Sequence, residues 1–197
     1  MKSFYRVLFA LSCIIATGCS HYTINSEGFI RPPNGYKFSY RNKVNHLTST
    51  ELVDTNAIYV MRNNNFQRNS DEYKQGDSYF RFYADGKFKK TGIKTTDSII
   101  IEDVNNINVG IVGYYKLKGR VIKLQFYSDF YGGSDILKIG RISEDGELVL
   151  LHSSPSETFG IGYSEKGVKR KIEKEFFNPG IYKKTKLNGM AYIRPNW

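Results

Sequence analysis

The sequence predicts a mainly β protein, an antiparallel meander of about eight strands closing into a barrel, with one segment near the C-terminus readable as a short helix. Three observations predict it. Short runs alternating apolar and polar residues recur along the chain. Xaa-Gly turns at Asp85-Gly86, Lys118-Gly119 and Asp145-Gly146 each separate two such runs. No long amphipathic helix stands between the runs, which argues against βαβ units and a parallel sheet. Sequential hairpins pair in chain order, and closure removes the exposed edges of an open sheet.

The elements follow in order. Tyr36–Tyr40 alternates and reads as a strand, and Thr48-Ser49-Thr50-Glu51 fits a capping box for one helical turn at Leu52-Val53. Ala57–Arg62 is a strand. Tyr79–Ala84 and Lys87–Lys90 flank Asp85-Gly86. A two-residue turn there would pair Tyr83 with Phe88 and Phe82 with Lys89, placing Phe88 on the face of Tyr79 and Tyr83. Ser98–Val104 is a strand with an apolar centre. Val109–Leu117 and Arg120–Tyr127 flank Lys118-Gly119; Ile136–Ile142 and Glu147–Leu151 flank Asp145-Gly146. Ile181–Lys186 is the last strand. From Ser164 to Phe177 two readings stand. Val168, Ile172 and Phe176 recur every four residues, as on a helix stopped by Asn178-Pro179-Gly180. The rival is a hairpin turning at Lys166-Gly167.

The 197 residues are 40% hydrophobic and 15% aromatic, too apolar for a disordered chain and enough for one core. Two cysteines exclude a disulfide framework and a multi-cysteine zinc site, and three histidines argue against a histidine-rich metal centre. No apolar run reaches the roughly 18 residues of a membrane-spanning helix.

The first residues read as an address. Lys2 and Arg6 form a basic start, Val7–Ala16 is apolar, and Ala16-Thr17-Gly18-Cys19 closes it. Small residues ending at a cysteine resemble the lipobox of bacterial lipoproteins, although Ala16 stands where that family most often has Leu. The resemblance implies that the peptide is cut before Cys19, whose sulfur receives a diacylglycerol and whose new amine is usually acylated. Two or three chains anchor a protein firmly where one is marginal. It also implies outer-membrane sorting, since Ser20 rather than Asp follows the cysteine. The lack of an acidic cluster in Ser20–Asn25 places the domain on the periplasmic side. The alternative is an ordinary cleaved signal. With Cys13 removed and Cys19 lipidated, no free thiol would meet an oxidising compartment.

The expected organisation is a signal peptide at 1–18, a lipidated N-terminus and tether at 19–35 ending in Arg31-Pro32-Pro33-Asn34-Gly35, a barrel domain at 36–187 and a tail at 188–197. The order FYADGKF, VGYYKLKGRVIKL, ILKIGRISEDGELVLL resembles small lipocalin-like domains of bacterial lipoproteins. The matching residues include Phe82, Tyr83, Asp85 and Gly86, then Gly113 and Tyr115, then Gly140, Ile142, Asp145 and Gly146, over residues 57–186. The resemblance implies a barrel and leaves its ligand open. It departs at the first strand, where the family often has Gly-x-Trp and this chain has Tyr59.

No GxSxG, HExxH or Walker-type loop is present. Gly160-Ile161-Gly162 lacks the third glycine and the βαβ setting of a dinucleotide loop, and His152-Ser153-Ser154 with Glu157 reads as a polar strand end. Glu102, Asp103, Asp129 and Asp135 read as solvated loop carboxylates. The chain is therefore expected to be non-enzymatic, without cofactor or metal. Alternation puts Ile122, Leu124 and Phe126 on one face of their strand, and Phe80 with Phe82 on one face of theirs. These five are the candidate lining of a barrel that could hold a small apolar ligand. The net charge of +10 is concentrated late. Lys169, Arg170, Lys171 and Lys174 form either a solvated face or a contact for anionic headgroups, nucleic acid being no partner for a lipid-anchored periplasmic protein. Two functions remain: a lipid-anchored binding or accessory domain, or an assembly partner of an outer-membrane complex with a solid barrel.

Overall fold

Three short reversals through glycine set the register of three strand pairs in the sheet. A computed structural model of the chain describes residues 22–40, 52–62, 73–94, 98–128, 133–151, 164–174 and 179–197, with the backbone alone at 73–76 and 94. A small hairpin comes first, β1 (Thr23–Ile24) with β2 (Ile30–Arg31). Eight strands follow: β3 (Ile58–Met61), β4 (Tyr73–Phe82), β5 (Lys87–Lys94), β6 (Ile111–Lys118), β7 (Val121–Ser128), β8 (Ser134–Ile142), β9 (Leu148–Leu150) and β10 (Gly180–Thr185). Each pairs antiparallel with the next, and β10 returns to β3, so the barrel closes in chain order. Among the described residues two helices are interposed between barrel strands, α1 (Ile101–Asn105) between β5 and β6 and α2 (Glu165–Lys174) between β9 and β10. None of the described helices is long and apolar enough to cross a membrane.

The Asp85-Gly86 turn is one residue longer than expected. The Tyr83 amide donates to the Lys87 carbonyl at 2.9 Å, the Gly86 amide donates to the Tyr83 carbonyl, and Gly86 takes φ +77°. This is a tight turn closed by a left-handed glycine bulge. Ser143, Gly146 and Glu147 repeat it, with Gly146 also at φ +77°. The extra residue moves the pairing by one, so Phe82 sits opposite Phe88 and Arg81 opposite Lys89. Phe88 therefore joins Phe80 and Phe82 and leaves the face of Tyr79 and Tyr83, because a one-residue slip turns every side chain over. The third turn is Gly119-Arg120 rather than Lys118-Gly119, since Lys118 pairs with Val121.

Alternation then sorts the strands into two buried faces. The inward set holds Tyr59, Phe80, Phe82, Phe88, Tyr115, Ile122, Leu124, Phe126, Ile142, Leu148, Leu150 and Tyr182. Gly113 and Gly140 lie on the same face, and close neighbours explain them, the Gln125 carbonyl and the Phe88 ring at Gly113 and the neighbouring strand at Gly140. A Cβ on Gly113 would stand 2.7 Å from the Phe88 ring, and one on Gly140 would stand 2.0 Å from the Val149 carbonyl oxygen. The outer wall is covered as well. α1 and Leu187–Met190 pack on Ile58, Val60, Tyr79 and Ile93, while α2 packs Val168 and Ile172 on Val121, Ile139 and Leu151. Tyr22, Ile30, Tyr36, Phe38 and Tyr40, with Trp197, cover Tyr114, Tyr127 and Leu137.

Four further expectations meet these coverings. Ser98–Val104 is not a strand: β5 pairs directly with β6, so no ladder position is left, and the stretch folds into α1 to bury Val104 on the outer wall. Tyr36–Tyr40 forms no strand, because its rings bind the wall by packing rather than by a ladder. The segment at 164–177 is helical over Glu165–Lys174. Residues 22–35, within the expected tether, and the 188–197 tail both lie against the barrel. Arg31 donates to the carbonyls of Asn108 and Gly110 at 2.7 and 2.8 Å, and Lys87 donates to Pro195 at 2.7 Å. The signal with Cys19, the capping box at Thr48–Glu51, Phe176, Asp129, His152 to Glu157 and Gly160–Gly162 lie outside the described residues.

Candidate functional site

The barrel has two unlike ends. Its short turns, at 84–86, 119–120 and 144–146, gather at one end and its longer connections at the other. At the turn end Val53, fully buried, enters the inward cluster from below the start of β3. The Asp54 amide just after it donates to the Tyr59 hydroxyl at 3.0 Å, fixing this plug to the wall.

Above the plug the interior is filled by touching rings. Phe82 lies 5.3 Å from Tyr59, 5.0 Å from Tyr115 and 6.0 Å from each of Phe80 and Phe88, centroid to centroid. Phe80 continues the chain to Tyr182 at 4.9 Å, and Phe88 to Phe126 at 6.2 Å. The edge-to-face contacts among these, Phe82 with Tyr59 and Tyr115, Phe80 with Tyr182 and Phe88 with Phe126, each add about 0.5–1.5 kcal/mol to the burial of the rings.

Toward the long-connection end the inward face turns polar. Lys90 follows Phe88 by two residues on β5, and Lys138 stands between Ile136 and Gly140 on β8, so both lysines share the inward face. With Met61, Phe80, Phe126, Leu150 and Tyr182 they line a cavity of about 40 Å³, open on one side. That is room for a few heavy atoms, far below the roughly 300–1,000 Å³ of a drug-sized ligand pocket. The Lys90 ammonium lies 5.9 Å from the centroid of the Phe80 ring. Burial, and then the charge of Lys138, hold the Lys90 amine below the ordinary lysine range.

The outer wall carries a second cationic pair with a different role. Arg81 and Lys89, opposite one another on β4 and β5, are both almost wholly buried. Arg81 donates to the Val104 carbonyl at 2.8 Å, to the Asn105 side chain at 2.9 Å and to the Ala191 carbonyl. Lys89 donates to the carbonyls of Asp103 and Asn106 at 2.5 and 2.7 Å. The open carbonyls at the end of α1 are thus satisfied by cations, and the same Arg81 fastens the C-terminal segment. Burial first, and Arg81 second, push the Lys89 amine down to about 7. Across the wall, the Gln125 amide donates to Asp135, Tyr36 donates to the same carboxylate at 2.5 Å, and the Gln125 oxygen accepts from the Tyr40 amide at 2.9 Å. Asp135 is therefore a strap for the N-terminal segment and not a solvated loop charge.

The residues singled out in the sequence separate along these lines. Phe80 and Phe126 line the cavity, whereas Phe82, Ile122 and Leu124 are packed deeper. Lys169, Arg170, Lys171 and Lys174 are exposed on α2, opposite the side that buries Val168. Their neighbour Glu165 reaches Arg141 at 4.0 Å. Among the described residues no group of three or more His, Cys, Asp or Glu could hold a metal ion. Sequence reasoning missed Lys90 and Lys138. The signal was there, since Ile136, Lys138, Gly140 and Ile142 alternate onto one face and put a lysine in an otherwise apolar series.

No family model matches the chain, and no curated protein or solved structure matches it either.

Proposed function

We propose that this chain is a lipid-anchored lipoprotein of the bacterial envelope, a non-enzymatic accessory domain that works through its surfaces and not as a carrier of a bulky apolar ligand. The observation that carries this reading is the ring-packed interior, in which Phe82 alone touches four other rings and the neighbouring cavity measures about 40 Å³. The anchor rests on the order of basic, apolar and small residues that ends at Cys19. Outer-membrane sorting and a periplasmic orientation rest on Ser20 and on the lack of acid in the residues after it. The exposed basic face of α2 offers a charged surface for an envelope partner or anionic headgroups.

The test is a titration of the protein with an environment-sensitive hydrophobic dye. No saturable binding is expected in the wild type. Saturable one-to-one binding that Phe82→Ala strengthens would replace the accessory reading with that of a ligand carrier.

A further inference from the structure

Where the N-terminal segment is fastened decides how the barrel sits on its membrane, given the Cys19 anchor proposed above. An undocked stretch from 19 to 35 would let the domain stand as far as about 55 Å from the bilayer, at about 3.5 Å per residue. The segment is instead tied down almost from its start. Tyr22, Ile30, Tyr36 and Phe38 pack on Tyr114, Tyr127 and Leu137, outward side chains of β6, β7 and β8. Asn25 and Arg31 each donate to the Asn108 carbonyl at 2.7 Å. Tyr36 donates to Asp135, with its ring 5.0 Å from that of Tyr127. Only three residue steps separate Cys19 from Tyr22, so the leash is at most about 10 Å long.

The outer wall of β6–β8 is thus the side held against the leaflet, and two of its features suit a lipid surface. Ile24, two residues on from Tyr22, is 63% exposed, an apolar side chain left out of the cluster. α2 rests on the same wall, covering Val121 and Ile139 where the N-terminal segment covers Tyr127 and Leu137 of the same two strands. Its outer side presents Lys169, Arg170, Lys171 and Lys174, all exposed. Attraction to anionic headgroups fades within a Debye length of about 8–10 Å, and the leash brings the wall to that range. β10 stands four strands round the closed barrel from β6, and its Ile181, 45% exposed, looks away. Eight strands about 4.8 Å apart and tilted by about 40° make a barrel about 16 Å across its backbone, which separates the two sides.

We propose that the chain lies directly on the leaflet that holds its own acyl chains, with the β6–β8 wall facing it, Ile24 in the headgroup layer and the basic side of α2 on anionic headgroups.

The experiment uses the full lipidated chain in vesicles of phosphatidylethanolamine and phosphatidylglycerol, its lipid verified by mass. Ile24→Cys and Ile181→Cys, both at exposed positions, are labelled with a fluorophore, and the vesicles carry a nitroxide in the headgroup region. The Ile24 label is expected to lose most of its fluorescence and the Ile181 label to keep it. A Gly/Ser spacer of about twenty residues after Cys19, with a reach of about 25 Å, should lower the Ile24 quenching while the lipid stays on. Acetylation of the unaltered chain, read by mass spectrometry, needs no variant. Lys169 and Lys171 should be protected on these vesicles and not on neutral phosphatidylcholine. Lys186, exposed beside the Leu187 that packs on β3–β5, should react freely on both. A chain recovered without lipid would overturn the anchor and the seating together. A lipidated chain whose Ile24 and Ile181 labels respond equally would overturn the seating and leave the anchor standing. So would α2 lysines that react as freely on anionic vesicles as on neutral ones, which would give that face to a protein partner.

Discussion

Phe82 and Phe88 face one another across β4 and β5 with their ring centroids 6.0 Å apart, both inside the barrel. That relationship exists only because the turn between them carries Ala84, Asp85 and Gly86 and not two residues. It ties a local matter, the handedness of one glycine, to a global one, the contents of the interior.

Truncating Phe82 tests the filled interior. Phe82→Ala removes a fully buried ring from the centre of four others, so the void cannot be closed by one neighbour. The expected loss is about 3–5 kcal/mol of unfolding free energy in a denaturant titration. A loss below about 1 kcal/mol would mean that the ring borders space already empty.

Gly86 tests the turn itself. Its φ of +77° is a region where a β-branched residue is strained. Gly86→Val should cost about 1–3 kcal/mol, seen as a lowered melting temperature with unchanged far-ultraviolet circular dichroism. Gly86→Asn should recover much of it, because Asn tolerates the left-handed conformation.

The barrel was legible in the sequence because alternation and Xaa-Gly turns are local signals, read within a dozen residues. Phe80 with Phe82, and Ile122 with Leu124 and Phe126, were assigned to the inside by alternation alone, and they lie there. What failed was register and covering. Phe88 went to the wrong face because a two-residue and a three-residue turn through Asp-Gly read alike in sequence. Ser98–Val104 carries Ile99, Ile100 and Ile101, β-branched residues that favour a strand, and only the direct pairing of β5 with β6 leaves it no partner. Tyr79, Tyr83 and Tyr127 gave no clue to their outward burial, since the elements that cover them come from distant parts of the chain, Trp197 among them.

The anchor is tested by Cys19→Ala. Diacylglycerol transfer needs the sulfur, so the variant should lose the lipid mass shift and leave the membrane fraction, or stay as the longer unprocessed chain. A variant that is still cut normally and still resists high-salt washing would remove the lipoprotein reading, and the seating on the bilayer with it, while leaving the barrel fold untouched.

Lys89 makes stability depend on pH in a stated direction. Its amine is lowered from the free-lysine value to about 7 in the folded chain, chiefly by burial and then by Arg81. Below pH 7 both folded and unfolded chains carry the proton, and the cost of burying the charge is felt in full. Above it the folded chain releases the proton while the unfolded chain keeps it until its own pKa near 10.5. The unfolded state then binds more protons, so stability rises with pH across that window, by at most about 1.4 kcal/mol per unit from this group. The neutral amine can still donate to the carbonyls of Asp103 and Asn106, so the seat of α1 survives the release. Lys89→Met keeps the aliphatic stem and removes the titration. Chemical denaturation at pH 6, 7, 8 and 9 should give a rising profile in the wild type and a flatter one in the variant. The variant should also lose stability at pH 9, where the two carbonyls no longer have a donor and the wild type no longer carries the buried charge. Parallel profiles for the two proteins would show that Lys89 titrates as an ordinary surface lysine and that its burial against α1 is not maintained.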